Sequence, residues 1–346
     1  MKKIASLLLL LCFVCLWAEA QEKKNESVQA VAFNKEAFDL LNLNYSGLEK
    51  VKDACNNGNM EDATRFLLDY YRMRKGVVNP AVDLKNISVS KTDQQWADDA
   101  LKHTFFAHKG YLPAYNYGED INWQYWPVKD NELRWQLHRH KWFTPMGKVY
   151  QITKDEKYAK EWIYQYLDWI KKNPLKQISL DAYEIYDLEG VAGIAENVRF
   201  AWRPLETSHR LQDQINQFTL FVESPSFTPS FLTEFLVNYR RHADHILHNY
   251  SKEGNHLLFE AQRMLYAGAF FPEFKEAATW RKSGIDILNK EIKKQIYDDG
   301  GQYELDLGYH VGCIEIFNKA LLMADANGFR NAFPESYVAT IKKMID

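Results

Sequence analysis

The stretch Ala63-Thr64-Arg65-Phe66-Leu67-Leu68-Asp69-Tyr70-Tyr71 carries apolar side chains at the spacing of an amphipathic α-helix. Gly76 and Pro80 follow it and predict that this helix ends before them. The same spacing returns along the rest of the chain, at 96–105, 132–142, 158–172, 199–220, 231–250, 256–270, 274–295, 311–326 and 336–346. The pattern predicts an all-α domain over residues 46–346, built from helical hairpins.

Other architectures have little support in the pattern. An alternating strand pattern is weak and confined to 177–180, and the sequence has no glycine-rich phosphate loop. The absence of a fixed repeat period weakens a tetratricopeptide or HEAT interpretation. A toroid of helical hairpins fits the helices as well as any solenoid does.

Composition limits the possible functions. The chain has 346 residues, 46% of them hydrophobic, which is enough for a large core. Its net charge of −3 argues against a broad nucleic-acid surface, but it is compatible with a local basic cleft for an anionic substrate. Cys55 and Cys313 are far apart in sequence and are expected to be small core residues rather than a disulfide or zinc framework.

The first twenty residues have the pattern of an export signal. Lys2 and Lys3, an apolar run over 4–17 and a small-x-small site at 18–20 predict a signal peptide over 1–20. We therefore expect export to the periplasm or cell surface, with no transmembrane segment and a polar lead-in over 21–45.

Helical character continues to residue 346 without a cap, which suggests either a domain truncated at its C-terminal end or a short final helix.

A long non-helical region at 107–130 is rich in aromatic residues. A loop of this length in a compact domain is usually functional. Trp123 and Trp126 are candidates for stacking on the apolar faces of sugar rings. The alternative is that these rings pack the loop onto the helices.

Two turns between helices place polar side chains where chemistry is possible. Asn255 and His256 follow Gly254 at one turn, where the spacing alone favours Asn255 as a helix N-cap. Tyr309 and His310 follow a glycine-containing loop at the start of another helix. The alternative for Tyr309 is simple packing at the helix entry.

Basic residues cluster at two further places. Arg134 and Arg139 belong to a basic stretch at 134–142 that can line an anionic groove or form a solvated helix face. Arg203 can contact a carboxylate or sulfate with two hydrogen bonds, or pair with Glu206 three residues later. Histidines recur at every third residue over 242–248, but their faces diverge and no HExxH motif occurs, so no metal site is expected.

Taken together, these motifs resemble the heparinase II/III superfamily of polysaccharide lyases. The resemblance rests on Trp123 and Trp126, on 131–139, 202–206 and 254–258, on Glu260, and on 299–302 leading to Tyr309-His310. It implies an incomplete (α/α) toroid, followed in full-length members by an antiparallel β-sandwich for which this chain has no candidate stretch. That missing domain is expected to supply further site residues, including a histidine.

The resemblance also implies roles for particular residues. Asn255, Tyr309 and His256 are the expected catalytic residues. The expected substrate-binding residues are Trp123, Trp126, Arg134, Arg139, Trp202, Arg203, Glu206, Glu260 and His310. The implied substrate is a heparan-sulfate-like uronate glycan, cleaved by β-elimination.

The side chains suit this chemistry. Asn255, helped by His256, would hydrogen-bond the uronate carboxylate and stabilise the charge that grows on it when the C5 proton leaves. Tyr309 would act as general base, general acid or both, which requires neighbouring cations such as Arg203 to lower a pKa that is ordinarily about 10. The mechanism requires no metal or organic cofactor. It makes no prediction about a bound ion with a structural role.

Three alternative functions remain at this point. An alginate or oligouronate lyase of the same fold shares the asparagine, histidine and tyrosine pattern. A helical-toroid glycoside hydrolase needs a carboxylate pair, and no motif singles one out among Glu206, Glu260 and Asp306. A non-catalytic exported glycan-binding protein would use the aromatic loop and need neither Asn255 nor Tyr309.

Overall fold

The structure, a computed structural model, describes residues 32–105, 114–128, 130–175 and 200–346. The predicted signal peptide, the weak strand at 177–180 and the first part of the aromatic loop lie outside the described residues. The predictions made for them therefore stay predictions.

Helices dominate the described part of the chain, which confirms the all-α prediction. In chain order they are α1 Glu36–Leu40, α2 Glu49–Asn56, α3 Met60–Met73, α4 Lys91–Ala100, α5 Asn131–Leu137, α6 Phe143–Thr153, α7 Glu156–Lys172, α8 Pro204–Phe221, α9 Pro229–His248, α10 Gly254–Phe270, α11 Ala277–Gln295, α12 Leu307–Ala326 and α13 Glu335–Ile345. A single antiparallel pair, β1 Thr104–Phe105 and β2 Tyr115–Asn116, is the only sheet within these ranges.

Helices that follow one another pack as antiparallel hairpins and close into an incomplete (α/α) toroid. Helix α10 is central, because it packs against α8, α9, α11 and α12. A large aromatic core fills the first part of the fold, where Trp162 stacks on Phe221 at 4.4 Å between ring centroids. A second, smaller core lies among α10, α11, α12 and α13. Burial of these apolar faces, rather than helix propensity, is the main source of stability.

Several helix boundaries differ from the predicted ones. The predicted helix 132–142 ends at Leu137, and a new helix begins at Phe143 after His140 turns the chain with a φ of 52°. The helix predicted at 96–105 starts earlier, at Lys91, because Ser90 and Asp93 form a capping box. Helix α1 falls inside the segment that was predicted to be a polar lead-in.

Helices α10 and α11 approach each other so closely that glycine is required where they cross. A Cβ atom on Gly268 would lie 2.2 Å from the carbonyl oxygen of Ala277, and one on Gly284 would lie 2.3 Å from that of Ala261. Because both obstacles are backbone atoms, no side-chain rotation can relieve the overlap. The close spacing of α10 and α11 therefore requires that these two positions carry no Cβ atom.

Gly268→Ala is expected to lower the free energy of unfolding by about 2–3 kcal/mol, since the extra methyl group must push the two helices apart. Denaturant unfolding of both proteins measures this difference. Gly312→Ala is the matched control, because the Cβ position of this helical glycine has open space around it. That control should be neutral or stabilise by up to about 1 kcal/mol. Equal effects of the two substitutions would contradict the packing argument.

Candidate functional site

An open cleft of about 260 Å³ lies between the first turns of α10 and α12. Its walls are formed by Asn255, Phe259, Asp306, Gly308, Tyr309, Gly312, Cys313 and Ile316. The structure thus brings together Asn255 and Tyr309, two candidate residues that are far apart in the sequence. This juxtaposition makes the cleft the leading candidate for an active site.

Asn255 lies inside the first turn of α10 rather than at its cap. The N-cap position belongs to Glu253, and Gly254 takes a φ of 75°, which favours glycine. The interpretation of Asn255 as an N-cap is therefore wrong. Its side-chain amide makes no hydrogen bond within the described residues, so both its donor and acceptor atoms are available to a ligand in the cleft.

Tyr309 occupies the equivalent place in the first turn of α12. Asp306 caps this helix by accepting a hydrogen bond of 2.9 Å from the Tyr309 backbone N–H. The Tyr309 side chain is 47% exposed, and it lines the cleft opposite Asn255. Its phenol is therefore accessible to a ligand, while the cap fixes the backbone that carries it.

A buried ionic cluster lies at the same end of the fold. Glu206 is fully buried, and its carboxylate accepts a hydrogen bond of 2.7 Å from Arg139 and lies 3.5 Å from Arg203. The Arg203 guanidinium stacks over the Trp135 ring at 4.0 Å. One carboxylate thus holds two guanidinium groups in fixed positions. The expectation that Glu206 binds substrate itself is corrected, because its two oxygens face these arginines.

His256 connects this cluster to the cleft. Burial, reinforced by the positive charges of Arg203 and Arg139, lowers the pKa of His256 to about 4. The imidazole is therefore neutral at neutral pH and can donate or accept a hydrogen bond without adding charge. His256 is not among the cleft walls, so it lies beside Asn255 rather than facing the same space.

Glu260 holds the turn that precedes Asn255. Its carboxylate accepts hydrogen bonds from the backbone N–H of Ser251 at 2.6 Å and from the Ser251 hydroxyl at 2.7 Å. Burial raises the pKa of this fully buried group to about 8. The expected substrate contact of Glu260 is therefore corrected to a positioning contact with the turn.

Three helices point their N-termini towards this region. Arg203 occupies the N-cap position of α8, and His256 lies in the first turn of α10 close to Arg203. Tyr309 lies in the first turn of α12 and lines the same cleft as Asn255. The N-terminus of a helix carries a partial positive charge of about half a unit. The shared orientation therefore makes this end of the toroid favourable for an anion, in addition to the arginine side chains.

Two predicted substrate-binding residues are core residues instead. Trp123 is 2% exposed, stacks on Phe105 and donates its indole N–H to Asp168 at 2.8 Å. Trp202 is also 2% exposed and donates its indole N–H to the Asn173 carbonyl oxygen at 2.7 Å. Neither ring face is open to a glycan, so both expectations are corrected.

The remaining predicted binding residues fall into different environments. Trp126 is partly exposed, with its indole N–H bonded to the Asp130 carbonyl oxygen at 3.0 Å. Arg134 is buried between the rings of Phe200 and Trp126, at 3.8 and 4.9 Å. His310 does not line the cleft, because its Nε2 lies 2.8 Å from the Met344 carbonyl oxygen of α13. Trp126 and His310 are half-buried, whereas Arg134 is buried.

Structural contacts account for two of the three regularly spaced histidines. Arg210 donates to His242 Nε2 at 3.0 Å, and His245 Nε2 lies 2.8 Å from the Trp202 carbonyl oxygen. In the part of the chain that the structure describes, no three His, Cys, Asp or Glu side chains are placed to hold a metal ion. Across the same residues, none of the helices has the length and apolarity of a membrane span.

Sequence reasoning missed part of the site. Phe259 and Ile316 line the cleft. Asp213 lies near Arg139, which belongs to the Glu206 cluster, and near Arg263 and Lys141. Burial raises the pKa of Asp213 to about 6. No motif marks these residues. A helical projection would have placed Phe259 on the same face as Asn255, four residues earlier.

Fold and cleft together define an all-α toroid with an anion-favouring site at the N-termini of its inner helices. The family model described as Heparinase II/III N-terminus matches residues 37–346. Heparin-sulfate lyase from Bacteroides stercoris is 63% identical over 343 residues, which are 99% of this chain and 50% of that protein. Heparin-sulfate lyase from Pedobacter heparinus is 48% identical and covers 93% of this chain and 47% of its own length.

Solved structures agree with these sequence matches. A heparinase III gene product with methylated lysines is 68% identical, superposes with a TM-score of 0.82, and covers 91% of this chain and 49% of its own. The heparan sulfate lyase HepC from Pedobacter heparinus gives a TM-score of 0.76 at 48% identity, over 90% of this chain and 47% of its own. The chain belongs to the heparinase II/III family, and it spans about half the length of the curated relatives it matches.

Glu206→Ala is expected to lower the free energy of unfolding by about 3–5 kcal/mol, because it leaves two buried guanidinium groups without their carboxylate. Denaturant unfolding measures the loss. Glu132→Ala is the matched control, since the Glu132 side chain is 40% exposed and lies 4.0 Å from Arg139. That variant should lose less than about 1 kcal/mol. Similar losses for the two variants would show that Glu206 does not organise the cluster.

His256 is expected to stay neutral down to about pH 5, whereas an unperturbed histidine is half protonated near pH 6.5. Because its folded pKa is lowered to about 4, the unfolded chain takes up a proton first as the pH falls. The contribution of His256 to stability is therefore complete above about pH 6.5 and declines towards pH 4. NMR titration of the ring, assigned by comparison with His256→Gln, tests this, and a midpoint near 6.5 would refute it.

Proposed function

We propose that the protein is a polysaccharide lyase that cleaves heparan-sulfate-like uronate glycans by β-elimination. The observation that carries the proposal is the placement of Asn255 and Tyr309 on opposite walls of one cleft. The names of the relatives, heparin-sulfate lyase and heparinase III, support the choice of substrate class. The positive potential at the three helix N-termini fits a polyanionic chain.

In this mechanism Asn255 addresses the main chemical obstacle. The C5 proton of a uronate is weakly acidic while the adjacent carboxylate is negatively charged. The free amide of Asn255 donates a hydrogen bond to that carboxylate and stabilises the additional charge that develops as the proton leaves. Glu260 fixes the turn before Asn255 through Ser251, so the amide is oriented before the substrate arrives.

Tyr309 carries out the proton transfer. Its exposed phenol can remove the C5 proton as a phenolate, and the phenol that results can then protonate the departing O4 oxygen. The C4–O4 bond breaks as the C4–C5 double bond forms, so the product ends in a 4,5-unsaturated uronate. Arg139 and Arg203, held by Glu206, add fixed positive charge beside His256, the neighbour of Asn255. No cofactor takes part in these steps.

Groups outside this chain are proposed to complete the site. The cleft, at about 260 Å³, falls just below the range of roughly 300–1,000 Å³ that is usual for complete small-molecule sites. Leu305 and Leu307, beside Tyr309, are 80% and 77% exposed, which leaves an apolar surface at the cleft rim. We propose that the remaining half found in the relatives covers this rim. We also propose, from the first twenty residues, that the enzyme is exported to the periplasm or cell surface.

The test of the proposed function is the ultraviolet absorbance of the unsaturated uronate on mixing with heparan sulfate, heparin and alginate. The chain is compared with a chimera that carries the remaining half of the Bacteroides stercoris relative. We expect a signal on heparan sulfate from the chimera and a weaker signal or none from the chain alone. An absorbance increase with alginate alone would identify alginate, and not heparan sulfate, as the substrate. If neither protein gave an increase with any of the three glycans, the lyase proposal would be refuted.

Tyr309→Phe is expected to lower kcat by at least about 10²-fold in the chimera, because the ring stays while the transferable proton is lost. KM should change little, since the ring still lines the cleft. Tyr297→Phe is the matched control, because Tyr297 is similarly exposed but lies outside the cleft. Retention of normal kcat by Tyr309→Phe would exclude it from proton transfer.

A further inference from the structure

A second cleft, of about 420 Å³, lies at the opposite end of the toroid. It is lined by Tyr45, Ser46 and Gly47 from the loop before α2, by Tyr70, Met73, Arg74 and Lys75 at the end of α3, and by Val77. Its volume falls within the usual range for sites that bind small molecules. Gly47 is required at the wall, because a Cβ atom there would lie 2.7 Å from the Tyr70 ring.

Arg74 is the most informative residue of this cleft. Its side chain is only 7% exposed, and Nη1 donates to the buried Glu273 carboxylate at 3.0 Å and to the Phe270 carbonyl oxygen at 2.8 Å. Nε and Nη2 have no acceptor among the described residues, although Arg74 lines the cleft. A guanidinium edge with two free N–H donors suits a carboxylate or sulfate group.

Other polar groups of the cleft are also unused. The hydroxyl groups of Tyr45 and Ser46 and the ammonium group of Lys75 make no hydrogen bond or ion pair within the described ranges, and all three residues are cleft walls. Burial raises the pKa of Tyr45, so its phenol stays protonated and remains a donor at neutral pH. Three potential partners for a polar ligand therefore line the same cleft as Arg74.

Apolar groups and net charge narrow the kind of ligand. The rings of Tyr45 and Tyr70, with Met73, offer surfaces against which the C–H face of a sugar can pack. Arg74 is paired with Glu273, and the Glu49 carboxylate accepts a hydrogen bond from the Gly47 backbone N–H. Lys75 at the cleft wall and the nearby Arg281 add further positive charge. The surroundings therefore favour a ligand with a negative charge.

We propose that this cleft is a second binding site, for one acidic sugar unit whose carboxylate or sulfate group contacts Arg74 and Lys75. Tyr45 and Ser46 then bond to sugar hydroxyl groups. The site is separate from the candidate active site, because Phe270 and Asn255 lie at opposite ends of α10, about 23 Å apart at 1.5 Å per residue. The proposal does not depend on the lyase proposal, since binding here requires no cleavage.

Hydrogen–deuterium exchange distinguishes the two sites within one experiment. The chain is incubated with a glucuronate-containing, N-sulfated disaccharide, with an uncharged disaccharide, and with inorganic sulfate, all at the same concentration. We expect the acidic disaccharide to slow exchange at 44–47 and 73–77, and the other two probes to have little effect. Any slowing at 254–260 and 305–312 reports on the candidate active site instead.

Lys75→Glu should raise the disaccharide concentration needed for half-maximal protection by at least about tenfold, because it replaces a charge-assisted contact with a repulsion. Tyr45→Phe should weaken it less. Lys290→Glu, at an exposed lysine of α11, is the charge-matched control and should bind normally. Circular dichroism and thermal melting establish that each variant is folded.

Several outcomes would overturn the proposal. These are no protection at 44–47 and 73–77, equal protection by inorganic sulfate alone, or unchanged protection in the folded Lys75→Glu variant. If the acidic disaccharide protected 44–47 but not 254–260, the result would count against the proposed function and would leave this second site intact. The two proposals can therefore fail independently.

Discussion

The interaction of buried Glu206 with Arg139 and Arg203 organises the functional end of this protein. A carboxylate removed from water is costly unless its oxygens are paired, and here two guanidinium groups provide the pairing. The arginines come from the segment after α5 and from the start of α8, so the ion pairs join separate parts of the chain. Burial, reinforced by their charge, lowers the pKa of His256 beside Asn255 to about 4, so its imidazole is neutral at neutral pH.

Helix direction explains why the site lies where it does. In a toroid of hairpins, the inner helices run parallel to one another, and their N-termini gather at one end. Helices α8, α10 and α12 follow this arrangement, and each presents its first turn to the same region. Partial positive charge from the helix ends adds to that of the arginines, so the region favours an anionic ligand.

Sequence reasoning succeeded where periodicity or resemblance carried the information. The spacing of apolar residues predicted the long helices α7 to α12, because burial of one face imposes that spacing. The boundary at His140 was missed, since a single left-handed residue leaves no periodic signal. Aromatic content could not tell a stacking ring from a core ring, so Trp123 and Trp202 were assigned to the wrong environment.

The site was predicted less completely than the fold. Resemblance pointed to Asn255 and Tyr309, but only the packing of α10 against α12 places them on one cleft. The contacts of Glu260 with Ser251 depend on how the chain turns between α9 and α10, which residue types alone do not specify. Phe259 carries no motif, so its part in the cleft emerges only from the three-dimensional arrangement.

A crystal structure of the Tyr309→Phe variant with a heparan-sulfate tetrasaccharide would test the central claim most directly. The account predicts a uronate carboxylate within hydrogen-bond distance of the Asn255 amide and the C5 atom of the same sugar facing the ring at position 309. A tetrasaccharide bound with its uronates away from Asn255, or with C5 turned from position 309, would contradict the account.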